Sequence, residues 1–407
     1  MTGIEYLQKF EPRKALPILR KALKREPSFA NLINLAAAER GCGLILEARE
    51  TLTRALGMND KSPEVWNNLG QVATDLGMFK DAPQIFQKCL ELMEARGTPP
   101  HLAGEPLLAF AYSMMRLGHF EPIWPVWETA RLNHSWWPFQ GLHPWQGEPD
   151  ARLLILPEGG FGDGFNFLRW VPLLKVRSAT VLVWDAMFEY TKHTLGRILP
   201  FLEILPLSHA FQYSDLRKFT HCAPYLSLMR GMKTWSDIPA PLTWEPRSKR
   251  GPTEDWIGFC WRAEENGVMR KIRSLDDPAA DKIAKHLSFT CERVVSLCPQ
   301  GKELHRKGDF RTPRGVTQDD AMLDSWEPAA LTITRCRLVI TVDTAVFHLA
   351  GSLGVPTLCI LPLRSDWKFG VGPSETTEFY GSNVKLVRND KPAEWNLQKI
   401  LEAIDKM

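Results

Sequence analysis

Two turns in this sequence gather residue types that handle phosphates and hydroxyls. The first is Glu158-Gly-Gly-Phe-Gly162-Asp163-Gly164. Its glycines, Gly160 and Gly162 among them, let backbone approach a ligand closely at the end of a strand. As a phosphate motif it is incomplete: it lacks the P-loop lysine and serine or threonine, and the dinucleotide spacing is not met. The second is Val342-Asp343-Thr344-Ala345-Val346-Phe347-His348. Asp343 and Thr344 are N-cap types, so the next backbone N–H groups open a helix and form a natural seat for a phosphate. The plainer alternative is an ordinary βαβ turn with nothing bound. His348, one helical turn after Thr344, either looks at the phosphates or is a core histidine bonded to backbone.

Smaller signals border these turns. Asp366, Trp367 and Lys368 follow a strand end and belong at the rim of a cleft. Trp367 either stacks on a sugar or base, or packs two domains together. Gln300, in the turn Gln300-Gly-Lys302, either borders a nucleotide base or is an ordinary surface turn.

The elements that must hold these residues can be read from periodicity. Residues 338–342 are a short buried strand, 345–353 a helix ended by Gly354 and Pro356, and 355–361 a second strand. Upstream, residues 152–157, 179–184 and 201–205 read as strands alternating with helical segments. Strands at 256–261 and 294–298 precede the second turn, and a closing helix spans 395–404. The pattern predicts two doubly wound α/β domains facing each other across a cleft, at 151–246 and 253–407. The basic stretch 247–252 links them.

The first part is helical and repetitive. Ala15, Ala48 and Ala82 recur at spacings of 33 and 34 residues. The best copy holds Trp66, Leu69, Gly70, Gly77, Ala82 and Phe86. These are the small and large positions of two closely packed helices, and they resemble the tetratricopeptide repeat. The helical region is expected over 1–135, with a Trp-, Pro- and Gly-rich linker at 136–150. Its surface either binds a partner or docks on the neighbouring domain. Arg13, Lys14, Arg20, Lys21, Lys24 and Arg25 are either a solvated helix face or the footprint of a polyanion.

Composition bounds the rest. At 44% hydrophobic and 24% charged residues, the chain has the make-up of a soluble globular protein. A net charge of +3 selects neither acidic nor basic partners. No apolar run has the length of a membrane span or the form of a signal peptide. The eight cysteines show no metal-ligand spacing, so a reduced, cytoplasmic setting and no metal are expected.

Taken together, four motifs resemble the bacterial glycosyltransferases that join tetratricopeptide repeats to a heptosyltransferase-like domain of the GT-B fold. They are Glu158-Gly-Gly-Phe-Gly-Asp163, Gly258-Phe-Cys-Trp261 with Arg273-Ser274, Val342-Asp-Thr-Ala-Val-Phe-His348, and Asp366-Trp367-Lys368. Gly159 stands where that family more often has glutamine, and the run 262–266 also departs from its pattern. The resemblance implies an inverting, metal-independent transferase that uses a nucleotide diphosphate sugar as co-substrate and no cofactor. Asp163 corresponds to the family's base, with Glu158 as rival and a helix cap as the plain alternative. The turn Asp343–Val346 would hold the diphosphate, and Lys271 and Arg273 would add positive charge or lie on the surface. A protein or glycan hydroxyl is the expected acceptor. The other readings are transfer to hydroxymethylated DNA bases, and a repeat scaffold whose transferase domain is inactive.

Overall fold

The computed structural model describes the chain except residues 100–101, 134–141, 211–215, 234–237, 243, 245–253, 264–272, 299–310, 319–324, 373, 378 and 392–393. Lys271, Gln300 and the stretch 247–252 therefore lie outside the described residues.

Among the described residues eight helices come first: α1 (Gly3–Gln8), α2 (Pro12–Arg25), α3 (Phe29–Gly41), α4 (Ile45–Met58), α5 (Pro63–Asp75), α6 (Ala82–Ala95), α7 (Gly104–Arg116) and α8 (Trp124–Asn133). Each packs on its neighbour in sequence. Proline opens α2 and α5, where its missing N–H has no helical partner to lose. The recurring alanines, Ala15, Ala48 and Ala82, are buried in the seams. At the α5–α6 seam a Cβ on Gly70 would lie 2.5 Å from the Phe86 ring.

Two parallel sheets follow. The first has the order β1-β5-β2-β3-β4, from β1 (His143–Pro144), β2 (Arg152–Leu156), β3 (Ser178–Val183), β4 (Glu203–Pro206) and β5 (His221–Pro224). The second, of order β11-β10-β9-β6-β7-β8, comprises β6 (Glu254–Cys260), β7 (Arg293–Ser296), β8 (Val316–Thr317), β9 (Cys336–Val342), β10 (Thr357–Leu361) and β11 (Val384–Arg388). Central strands such as β2 and β9 are apolar runs buried on both faces, as parallel sheets covered by helices require. Each such Leu, Ile or Val contributes about 1.5–3 kcal/mol of burial.

Four strands escaped the sequence reading: β1, β5, β8 and β11. The correction at β1 changes the organisation. Residues 142–149, inside the stretch read as a linker, add an edge strand to the first sheet and bury Trp145. A two-residue strand ending in proline carries no period to read.

The last two of the opening helices do not stand apart from the sheets. Ala111, Met115, Trp124 and Trp127 of α7 and α8 share one apolar core with strands of both sheets. Glu128 of α8 accepts from Ser227 and Arg230 in the first α/β unit. Among the described residues, no helix is long and apolar enough to cross a membrane.

Candidate functional site

The loop after β2 runs into α9 (Phe161–Phe167). Gly160 is the N-cap, and its N–H donates to Asp163 Oδ2 at 3.0 Å. Asp163 is thus the third residue of the helix, reaching back to its start, rather than the cap residue. Gly159 adopts φ +67°, where a Cβ would sit 2.1 Å from that carboxylate. The left-handed backbone at Gly159, with the Asp163 carboxylate against it, suits glycine.

Asp163 Oδ1 accepts from Lys368 Nζ at 2.6 Å. Lys368 comes from the other α/β unit, on the loop that follows β10. Asp366 caps the short turn Trp367–Phe369, accepting from the Lys368 N–H at 3.1 Å. Burial disfavours the Lys368 charge, but Asp163, Asp366 and Asp343 outweigh it and raise its pKa. Burial likewise opposes ionisation of Asp366, yet Lys368, Arg273 and Arg116 hold its pKa below the usual carboxylate value.

The second turn lies across the seam. Asp343 is buried at the end of β9, with Arg273 Nη1 3.5 Å from its Oδ2. Thr344 is the N-cap of the helix Ala345–Ser352, in extended conformation, with its hydroxyl 3.3 Å from that of Thr341 and making no cap bond. Of its first N–H groups, that of Phe347 donates to the Thr344 carbonyl at 3.1 Å, while those of Ala345 and Val346 precede the helical ladder. Helix α9 packs directly on it: a Cβ on Gly162 would lie 2.7 Å from His348 Cδ2 and 3.4 Å from Ala345 Cα. The two turns met separately in the sequence are thus brought face to face.

Several predicted site residues sit behind that seam. Val346 is fully buried in the core, backbone and side chain alike. His348 is buried with Nδ1 2.9 Å from the Tyr380 hydroxyl. Burial first, then Lys368, Arg169 and Arg273, push its pKa well below the ordinary imidazole value. It is a neutral residue of the seam, and its bond is to a side chain rather than to backbone.

A cavity of about 650 Å³ opens beside the Asp163–Lys368 pair, within the range of small-ligand pockets. Glu158, Asp163, Arg273, Asp366 and Trp367 line it, together with Gly159 and Lys368. Gly160, Gly162, Asp343, Thr344, Ala345, Val346 and His348 are not in its lining. Trp367 also packs edge-on against Phe120, 5.9 Å between centroids, so it joins the repeat helices to the second α/β unit. The third wall is the repeat region itself, through α5, α6 and α7.

The sequence reading left out Lys368 as the partner of Asp163, although its place in the Asp366 motif was a signal. Arg116 and Arg364 were missed altogether. Arg364 reaches back to Asp75 and, at 3.1 Å, to Gln71 on α5; Arg40 Nε meets the same Asp75 at 2.5 Å. Nothing local marks these residues, since their partners lie hundreds of positions away. The basic cluster on α2 is exposed, and none of it lines the cavity. Among the described residues, no group of three or more His, Cys, Asp or Glu is arranged to hold a metal.

The chain is 22% identical over 412 residues to Protein FlbA of Caulobacter vibrioides, covering 85% of this chain and 67% of that protein. Among solved structures it is similar to the E. coli ADP-heptose lps heptosyltransferase II, at 12% identity, 63% of this chain, 98% of that chain and a TM-score of 0.40. It is also similar to the MamA protein, at 17% identity, 32% of this chain, 68% of that chain and a TM-score of 0.27. The tetratricopeptide repeat family matches residues 63–95. These residues span α5 and α6, whose close approach at Gly70 and Phe86 is the packing that pattern encodes, and so the chain carries a tetratricopeptide repeat.

Proposed function

We propose that the chain transfers a sugar from a nucleotide diphosphate sugar to an acceptor hydroxyl, with inversion and without a metal. The observation that carries this reading is the Asp163–Lys368 pair. It puts a carboxylate and a cation from opposite α/β units at the edge of one cavity. The sequence motifs shared with GT-B glycosyltransferases point the same way.

In this reading Asp163 takes the acceptor proton as the oxygen attacks the anomeric carbon. The bond from that carbon to the diphosphate breaks, and its electron pair leaves with the diphosphate. Lys368, Arg273 and the N-terminus of helix Ala345–Ser352 take up the charge that develops there. Lys368 has a double part, since moving its ammonium from Asp163 to the diphosphate frees the carboxylate for the proton. Glu158, on the same loop, lines the cavity as the second carboxylate.

A thermal-shift panel of UDP-, GDP-, ADP- and dTDP-sugars, followed by transfer and hydrolysis assays in EDTA, tests the reading. One nucleotide class is expected to raise the melting temperature, and turnover is expected to persist in EDTA. Asp163→Asn should lower turnover by roughly two or more orders of magnitude with donor-induced stabilisation unchanged. No response to any donor would favour the non-catalytic scaffold. Loss in EDTA with recovery on adding magnesium or manganese would assign a metal.

A further inference from the structure

The cavity beside Asp163 has a wall that the two α/β units do not supply. Helix α7 presents Glu105, Leu108, Tyr112 and Arg116 to it, the spacing of one helical face. Arg116 differs from the other cations there. Arg273, Arg364 and Lys368 each have a carboxylate within 4 Å, in Asp343, Asp75 and Asp163. Arg116 forms no ion pair among the described residues. The residue is only 8% exposed, Nη2 donates to the Ser365 carbonyl at 2.6 Å, and Nε has no hydrogen-bond partner. Burial, together with the neighbouring Arg364, lowers its pKa to about 10, so it keeps its charge at neutral pH.

A guanidinium buried in this way is complemented best by an oxyanion that meets its fork with two N–H bonds. We propose that the cavity is the acceptor subsite and that it selects acceptors carrying a carboxylate or phosphate, seated on Arg116. This rests on the transferase reading above. Leu108 and Tyr112 give the body of the acceptor a less polar face. The repeat region then sets specificity by forming part of the site.

The test measures binding of glucuronate, glucose 6-phosphate and glucose to the full chain by titration calorimetry or saturation-transfer NMR. UDP, GDP and ADP are titrated separately. At least one acidic sugar should bind roughly tenfold more tightly than glucose, and which one it is separates carboxylate from phosphate. Arg116→Gln should abolish that preference, and Arg116→Lys, which keeps the charge without the fork, should restore part of it. Leu108→Trp, which fills the cavity and leaves Arg116 in place, should weaken both acidic probes even if Arg116→Gln folds poorly. Equal binding of acidic and neutral sugars by the wild type would overturn the proposal, as would an unchanged preference in Arg116→Gln. So would unchanged probe binding in Leu108→Trp. A parallel loss of nucleotide binding in Arg116→Gln would move the guanidinium to the donor side and also end it. If no nucleotide binds the wild type, the transferase reading fails, and the anion preference is still read on its own.

Discussion

His348 sits where both turns meet, and its protonation state reports on that seam. It is buried, with Lys368, Arg169 and Arg273 nearby and the Tyr380 hydroxyl at Nδ1. Its folded pKa lies well below the roughly 6.5 of an unfolded histidine. As pH falls below about 6.5, the unfolded chain therefore binds a proton that the folded chain refuses. Its contribution to stability is complete above that pH and is lost below it. The melting temperature should fall more steeply between pH 6.5 and 5 in the wild type than in His348→Gln, which does not titrate. Equal slopes would remove His348 from the account.

At the scale of elements, α9 and the helix Ala345–Ser352 touch because Gly162 has no side chain. The atom that a Cβ would meet, His348 Cδ2, belongs to a ring held by Tyr380 and unable to retreat into open space. Gly162→Ala is expected to destabilise the fold by about 1–3 kcal/mol, the range of overpacked seams. A urea titration showing an unchanged midpoint would mean that the helices part freely. Gly162 was legible in the sequence as a place of close approach, but what it approaches was not. What it approaches is a second helix, at Ala345 and His348.

For the whole molecule, the question is how the repeat region is fastened to the rest. Asp75 on α5 is buried and holds Arg40 from α3 and Arg364 from the second α/β unit. Asp75→Ala would leave two partly buried guanidiniums side by side. Breaking a buried ion pair from one side costs about 3–5 kcal/mol, and the lower end applies because both arginines are about a fifth exposed. Calorimetry should show the repeat region melting earlier than in the wild type, and limited proteolysis should cut first near the α5–α7 boundary. An unchanged profile would place the fastening at the core that α7 and α8 share with both sheets.

Apolar periodicity in the sequence determined most strands of both sheets, and alanine spacing determined the repeat helices. Both signals arise within a few turns of chain, where side-chain spacing alone decides which face is buried. The order in which elements follow each other likewise determined two parallel α/β units. The two-residue strands β1 and β8 were not legible, because so short a strand becomes one only when a neighbour supplies its hydrogen bonds, whereas β5 and β11 are no shorter than strands that were legible. The site divided in the same way. Asp163 was marked by its place in a glycine-rich turn, whereas Lys368 as its partner, Arg116 in the cavity wall and His348 in the seam were decided by contacts across the chain. A charge pair or a cavity exists only between surfaces, and the sequence states each surface without saying which other one it meets.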